Sequence, residues 1–176
     1  KYTFECRLSD TRFMYIKSAA YEQLIECGVY DIETGEIELL TPDNATLINV
    51  DTSYDNKAVM VSYDNSLHPT YLYDDKTGEM TQLEWLSDLQ ANGVFPHYYL
   101  YENTLMAFVV YEGTAALRFF DLATGTEITV IELPSSYRLT DNYLNGFFIT
   151  DNDLLFYSCT PDGYIFRIPI GEVTKI

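Results

Sequence analysis

A chain of 176 residues is long enough to bury a real core in one domain. It carries 10 Lys and Arg against 27 Asp and Glu, a formal net charge of −17 at pH 7. Phosphate backbones and anionic lipid surfaces both call for clustered Lys and Arg, so this balance disfavours nucleic acid and acidic membranes as partners.

The first elements form a hairpin. Phe4-Glu5-Cys6-Arg7-Leu8 turns at Ser9-Asp10-Thr11 into Phe13-Met14-Tyr15-Ile16. A second hairpin follows, with Val29-Tyr30 leading into Tyr30-Asp31-Ile32-Glu33-Thr34-Gly35-Glu36 and returning as Ile37-Glu38-Leu39. The same pair of hairpins recurs. Leu47-Ile48-Asn49-Val50 turns near Tyr54-Asp55-Asn56 into Ala58-Val59-Met60-Val61, and Tyr73-Asp74-Asp75-Lys76-Thr77-Gly78-Glu79 repeats the turn phrase. Third come Tyr98-Tyr99-Leu100, a turn at Glu102-Asn103, a long apolar strand from Leu105 and Phe120-Asp121-Leu122-Ala123-Thr124-Gly125-Thr126. Fourth come Phe147-Phe148-Ile149, a turn at Asp151-Asn152-Asp153, then Leu154-Leu155-Phe156-Tyr157. A worn phrase follows, Phe166-Arg167-Ile168-Pro169-Ile170-Gly171-Glu172, and Val173-Thr174-Lys175-Ile176 returns from it.

Gly35, Gly78, Gly125 and Gly171 are spaced by 43, 47 and 46 residues. A period in this range marks stacked supersecondary units. The phrase is turn chemistry: Asp bonds backbone two residues on, and Gly takes the positive φ that closes the hairpin. Each unit is therefore a four-stranded meander. The expected units are 1–45, 46–96, 97–144 and 145–176, starting near Tyr2, Leu47, His97 and Asn145. The second strands are continuous apolar runs, as for a strand covered on both faces. The fourth strands alternate, as for an outer strand with one wet face. Four small sheets cannot cover their own apolar faces, and packing sheet on sheet about an axis solves this.

On these hairpins and turn phrases the chain resembles the β-propeller superfamily, most like the TolB-like and related bacterial repeat propellers. The resemblance covers essentially all 176 residues as four blades. It implies an all-β fold, either a small four-bladed ring or a four-blade segment of a larger propeller. The single Trp, Trp85, rules against a repeating Trp-Asp pair, and the absence of adjacent glycines rules against kelch repeats. The regular Trp of quinoprotein propellers is also missing, so no quinone cofactor is implied. The start at Lys1, without Met or signal peptide, fits an excised or processed domain. Sixteen Tyr and few Lys, with the family likeness, point to a secreted or surface-displayed bacterial protein; a cytoplasmic one stays open.

The search for chemistry yields little. There is no nucleophile elbow, and no Cys pairs with a His at a family spacing. His68 and His97 each neighbour a Pro in loops, a poor zinc pattern. Asp151-Asn152-Asp153 lacks the spacing of a calcium loop, because Leu154-Leu155 follows it. No metal and no cofactor is expected. Cys6, Cys27 and Cys159 are expected as free thiols, because a strand separates Cys6 from Cys27.

The loops say more. In the resembled propellers, the fourth-to-first and second-to-third connections share one rim, where binding usually occurs. Here they are long and aromatic. Tyr21, His68, Trp85, Tyr137 and Arg138 lie in them, and Trp, Tyr and Arg are hot-spot types. Trp85 and Phe95 could equally plug the end of a ring, and a helical turn is expected from Leu86 to Asn92. The reading is a non-catalytic binding or sensing module for a protein, peptide or glycan. A glycan hydrolase with axial carboxylates, or the outer domain of a membrane-anchored signalling protein, is the alternative.

Overall fold

The computed structural model describes residues 2–18, 24–40, 48–62, 69–90, 97–111, 114–132, 144–149, 153–158 and 165–169. They form fifteen strands in four antiparallel sheets, each in chain order. The first sheet holds β1 (Tyr2–Arg7), β2 (Arg12–Ser18), β3 (Leu24–Asp31) and β4 (Ile37–Leu39). The second holds β5 (Ile48–Tyr54), β6 (Lys57–Ser62), β7 (Thr70–Asp74) and β8 (Glu79–Gln82). The third holds β9 (His97–Tyr101), β10 (Thr104–Tyr111), β11 (Thr114–Asp121) and β12 (Glu127–Glu132). The fourth has β13 (Leu144–Ile149), β14 (Asp153–Ser158) and β15 (Ile165–Pro169). Its expected last strand, 173–176, lies outside the described residues. After β8 come a 3-10 turn, Glu84–Leu86, and α1 (Ser87–Gln90), one turn long. The helical turn expected from Leu86 thus starts at Glu84, and Asn92 lies outside the described residues.

The turn phrase does what its residues dictate. Asp31 Oδ1 accepts the backbone N–H of Glu33 and of Thr34, and the Gly35 N–H donates to the Asp31 carbonyl. Asp74 accepts the Lys76 N–H, and Asp121 accepts the Thr124 N–H. Gly35, Gly78 and Gly125 all have positive φ, at 76°, 71° and 71°. The second sheet's first hairpin closes on Asp55 and Asn56, both left-handed, as a two-residue turn between right-twisted strands requires.

In the worn fourth copy, pairing departs from the phrase. Arg12, Lys57 and Thr104 open their strands opposite Asp31, Asp74 and Asp121. Asp153 opens β14 opposite Pro169, not opposite Arg167 as alignment on Gly171 would place it. Pro has no N–H to give the ladder and holds the strand end, while Arg167 lies opposite Leu155 and its side chain forms an ion pair with Asp153 at 2.8 Å.

The chain divides into two compact units, Lys1–Gly93 with Tyr98–Asn103, and Val94–His97 with Thr104–Ile176. In the first unit the core lies between the first two sheets. Met14, Cys27 and Val29 from one meet Ile48, Ala58, Met60 and Tyr73 from the other, with Leu8 and Leu40 at the margins. The first strands β1 and β5 are joined by a polar contact, Ser53 Oγ donating to the Arg7 carbonyl. A bulge between Val50 and Thr52 lets two side chains of β5 accept from β9: Asp51 from the Tyr98 N–H and Thr52 from the Leu100 N–H. A bulge re-aims a side chain in this way by breaking the pleat locally.

In the second unit Leu105, Met106, Ala107, Phe108 and Val109 of β10 are all buried, as are Leu117 and Phe119 of β11. The double-sided burial expected of second strands holds for β10 and for β6. It fails for β2, where only Met14 and Tyr15 are buried. Around Tyr15 on that face of the first sheet, Tyr2, Phe4, Ile37 and Leu39 are exposed.

Candidate functional site

Of the five candidate rim residues, Trp85 alone is described; Tyr21, His68, Tyr137 and Arg138 lie outside the described residues, as do Phe95 and Cys159. Trp85 sits in the 3-10 turn after β8. Leu83, Leu86 and Leu89 around it are buried, and Trp85 itself is half-buried. Spacing explains this: the three leucines recur every third residue, so one side of the short helical segment anchors to the protein and Trp85 falls beside that stripe. The Leu86 N–H closes the turn on the Leu83 carbonyl, and the Leu83 N–H donates to Thr70 of the buried sheet. The segment is pinned at its start, which fixes where Trp85 is displayed. His97 is the half-buried first residue of β9.

Sequence reasoning missed a polar cluster, which joins the start of β2 and the strand β4 to the end of β7 and its following turn. Arg12, the first residue of β2, directs Nε at both oxygens of Asp75, 2.8 and 3.0 Å away, and Nη2 at Glu38 Oε2, 2.7 Å away. The Tyr73 hydroxyl lies 3.1 Å from Asp75 Oδ1 and 3.2 Å from Glu38 Oε2. The Asp75 side chain is only 5% exposed. Burial by itself disfavours the charged guanidinium, but the hydrogen bonds to Asp75, Glu38 and Tyr73 together outweigh it and raise the Arg12 pKa. Burial, opposed by Arg12 and aided by both carboxylates, pushes the Tyr73 phenol up as well. The guanidinium fork is committed to carboxylates of both sheets, so the cluster works as a clasp between them. One signal was visible in the repeat: Asp75 stands where the other phrases carry Ile32 and Leu122.

A smaller network lies on one face of the first sheet. Tyr15 Oη donates to Glu26 Oε1 at 3.1 Å, Lys17 Nζ to Glu26 Oε2 at 3.1 Å, and Lys17 lies 5.1 Å over the Tyr2 ring. Burial, then the bond to Glu26, pushes the Tyr15 phenol up to about 12. Cys6 and Cys27 are thiols outside any disulfide, and burial pushes Cys27 up to about 12. Among the described residues, no three His, Cys, Asp or Glu side chains converge as a metal set. None of the described helices is long and apolar enough to cross a membrane.

No family model matches the chain, and no curated protein sequence matches it. Solved structures do. Acylaminoacyl peptidase from Pyrococcus horikoshii is similar over 94% of this chain and 25% of its own length, at 14% identity and a TM-score of 0.59. The β-propeller domain of the Trilobed protease from Pyrococcus furiosus, which has an open velcro topology, is similar over 90% of this chain and 53% of its own length, at 12% identity and a TM-score of 0.52. TolB from Acinetobacter baumannii is a more distant match, with a TM-score of 0.45 at 16% identity. The chain thus spans about a quarter of the peptidase and about half of the isolated propeller domain. At such identities the likeness defines the fold alone. That fold is an all-β, propeller-type array of antiparallel four-stranded blades.

Proposed function

We propose that this chain is a non-catalytic binding module of propeller type that recognises a protein, peptide or glycan through the rim carrying its long connections. The observation behind this reading is the segment after β8. Three buried leucines and a backbone tether hold it, and the chain's single Trp stands half-exposed on it. Long ordered loops on a rigid scaffold are more often functional than structural. The excess of acid favours a partner with a basic surface. The same rim would carry Tyr21, His68, Tyr137 and Arg138 in the neighbouring connections. The family resemblance extends the reading to a bacterial protein displayed outside the cytoplasm.

Peptide and glycan arrays probed with the labelled protein supply a ligand. Trp85→Ala combined with Tyr137→Ala should then weaken its binding by at least about 2 kcal/mol while leaving the melting temperature nearly unchanged. Retained binding with a lowered melting temperature would make these aromatics core residues and sink the reading. A second reading draws on the match to a peptidase: the chain is the propeller part of a longer peptidase, with the hydrolytic residues outside residues 1–176. Peptidase activity in the full-length protein would favour it.

A further inference from the structure

The core between the first two sheets is rich in sulfur. The chain has three Cys and four Met, and Cys6, Met14, Cys27, Met60 and Met80 all belong to this one cluster. Met14 of β2, Cys27 of β3 and Met60 of β6 are wholly buried in it. The Cys27 thiol donates to Met60 Sδ across the gap between the sheets, with the two sulfurs 3.9 Å apart. Met14 stands opposite Val29, two residues along β3 from Cys27. It is a diagonal neighbour of Cys27 on the same face, within reach of a side chain as long as Met.

The repeat does not ask for sulfur at these places. Counted from Asp31, Asp74 and Asp121, the Cys27 position holds Thr70 in the second sheet and Leu117 in the third. Counted from Arg12, Lys57 and Thr104, the Met60 position holds Tyr15 in the first sheet and Ala107 in the third. Met fills irregular gaps in many cores. A thiol from one sheet aimed at a thioether from the next is a more particular arrangement.

Thiolate and thioether are soft ligands, suited to monovalent copper and to silver, which shares its chemistry. Charge selects the same class. A divalent ion on a single thiolate would leave a positive charge in an apolar core, at high cost. A monovalent ion in place of the thiol proton leaves none. Metal–sulfur bonds of about 2.3 Å, set about 120° apart, hold two sulfurs about 4 Å from each other. The Cys27–Met60 pair already has that separation.

We propose that Met14, Cys27 and Met60 form a buried site for one soft monovalent cation of the Cu(I) or Ag(I) class between the first and second sheets. Cys27 binds as the thiolate, and the two thioethers complete the set. The cation forms a bond to Cys27 Sγ as the S–H bond breaks, and the proton leaves to solvent. Nothing is oxidised or reduced. Burial holds that proton tightly, so affinity rises with pH.

The test uses Ag(I), which does not cycle between redox states, on the full-length protein carrying Cys6→Ser and Cys159→Ser. Native mass spectrometry reads the stoichiometry, competition with glutathione the affinity, and calorimetry the melting temperature. One more Ag(I) should bind than in the same protein with Cys27→Ala, with loss of one proton. Met60→Leu should weaken that binding at least about tenfold, as a lost ligand does. Ag(I) should raise the melting temperature, because it binds the folded state. Met60→Leu conserves core volume; should it fail to fold, Met14→Leu gives the same reading. No additional Ag(I), or equal affinity in the methionine variants, would overturn the proposal and leave an ordinary core contact. A melting temperature lowered by Ag(I) would overturn it too, because the thiol would then be captured in the unfolded chain.

Discussion

Cutting the Arg12 clasp offers a quantitative check on how the first two sheets are held. In Arg12→Met the Asp75 carboxylate stays almost wholly buried but loses both bonds from Nε, keeping the Tyr73 hydroxyl as its described partner. Breaking a fully buried pair by removing one partner costs about 3–5 kcal/mol. Arg12 is about a quarter exposed and Glu38 more so, and water therefore reaches that side of the cluster. The surviving Tyr73 contact and this partial hydration reduce the expected loss to about 2–3 kcal/mol. For a domain of this size such a loss lowers the melting temperature by about 5–10 °C. Differential scanning calorimetry with urea titration measures it. The double variant Arg12→Met with Asp75→Leu should recover most of the loss, because the stranded charge goes with its partner. A single variant as stable as the parent would show that the clasp contributes nothing. A double variant no better than the single one would show that the stem of Arg12, not its charge, mattered.

Replacing Gly35 or Gly78 with Val should cost about 1 kcal/mol or more from the positive φ alone, since nothing crowds a Cβ at Gly35. Gly28→Ala should cost more than either by urea titration, because its Cβ would collide with the Glu38 carbonyl oxygen and press on the Tyr15 ring. Backbone N–H groups of Thr34 and Glu33 hold the Asp31 carboxyl below its usual range, and Lys76 does the same for Asp55. Their stabilisation is present above the unfolded value of about 3.9 and is lost as pH falls through the lower folded values; Asp31→Asn should flatten that acid limb of a melting-temperature profile. The buried Cys27 thiol should resist alkylation in the native protein at pH 8 and react on unfolding. Its raised value, about 12, also means that its contribution to stability is complete below the unfolded thiol value and fades as pH rises toward 12.

The sequence by itself determined whatever is local. The Asp side chains and the glycines at 35, 78 and 125 specify their turns within a few residues, because Asx bonding and positive φ need no distant partner. Strand alternation likewise marks β4 and β8 as outer strands with mostly exposed side chains. In the fourth phrase, a turn motif without its Asp says little about which residues pair, and the ladder from β14 decided it. Of the rim, sequence put Trp85 in a long connection just before an expected helical turn, but its place in the Glu84–Leu86 turn and its half-buried setting depend on Leu83, Leu86 and Leu89 finding a core. Beyond the odd Asp75 in its phrase, the Arg12 clasp could not be read: its three acidic and phenolic partners lie 26 to 63 residues away and meet only when two sheets stack. The bare face of the first sheet is also a tertiary fact. Strand alternation puts its residues on one side of the sheet, and only packing decides whether that side is covered.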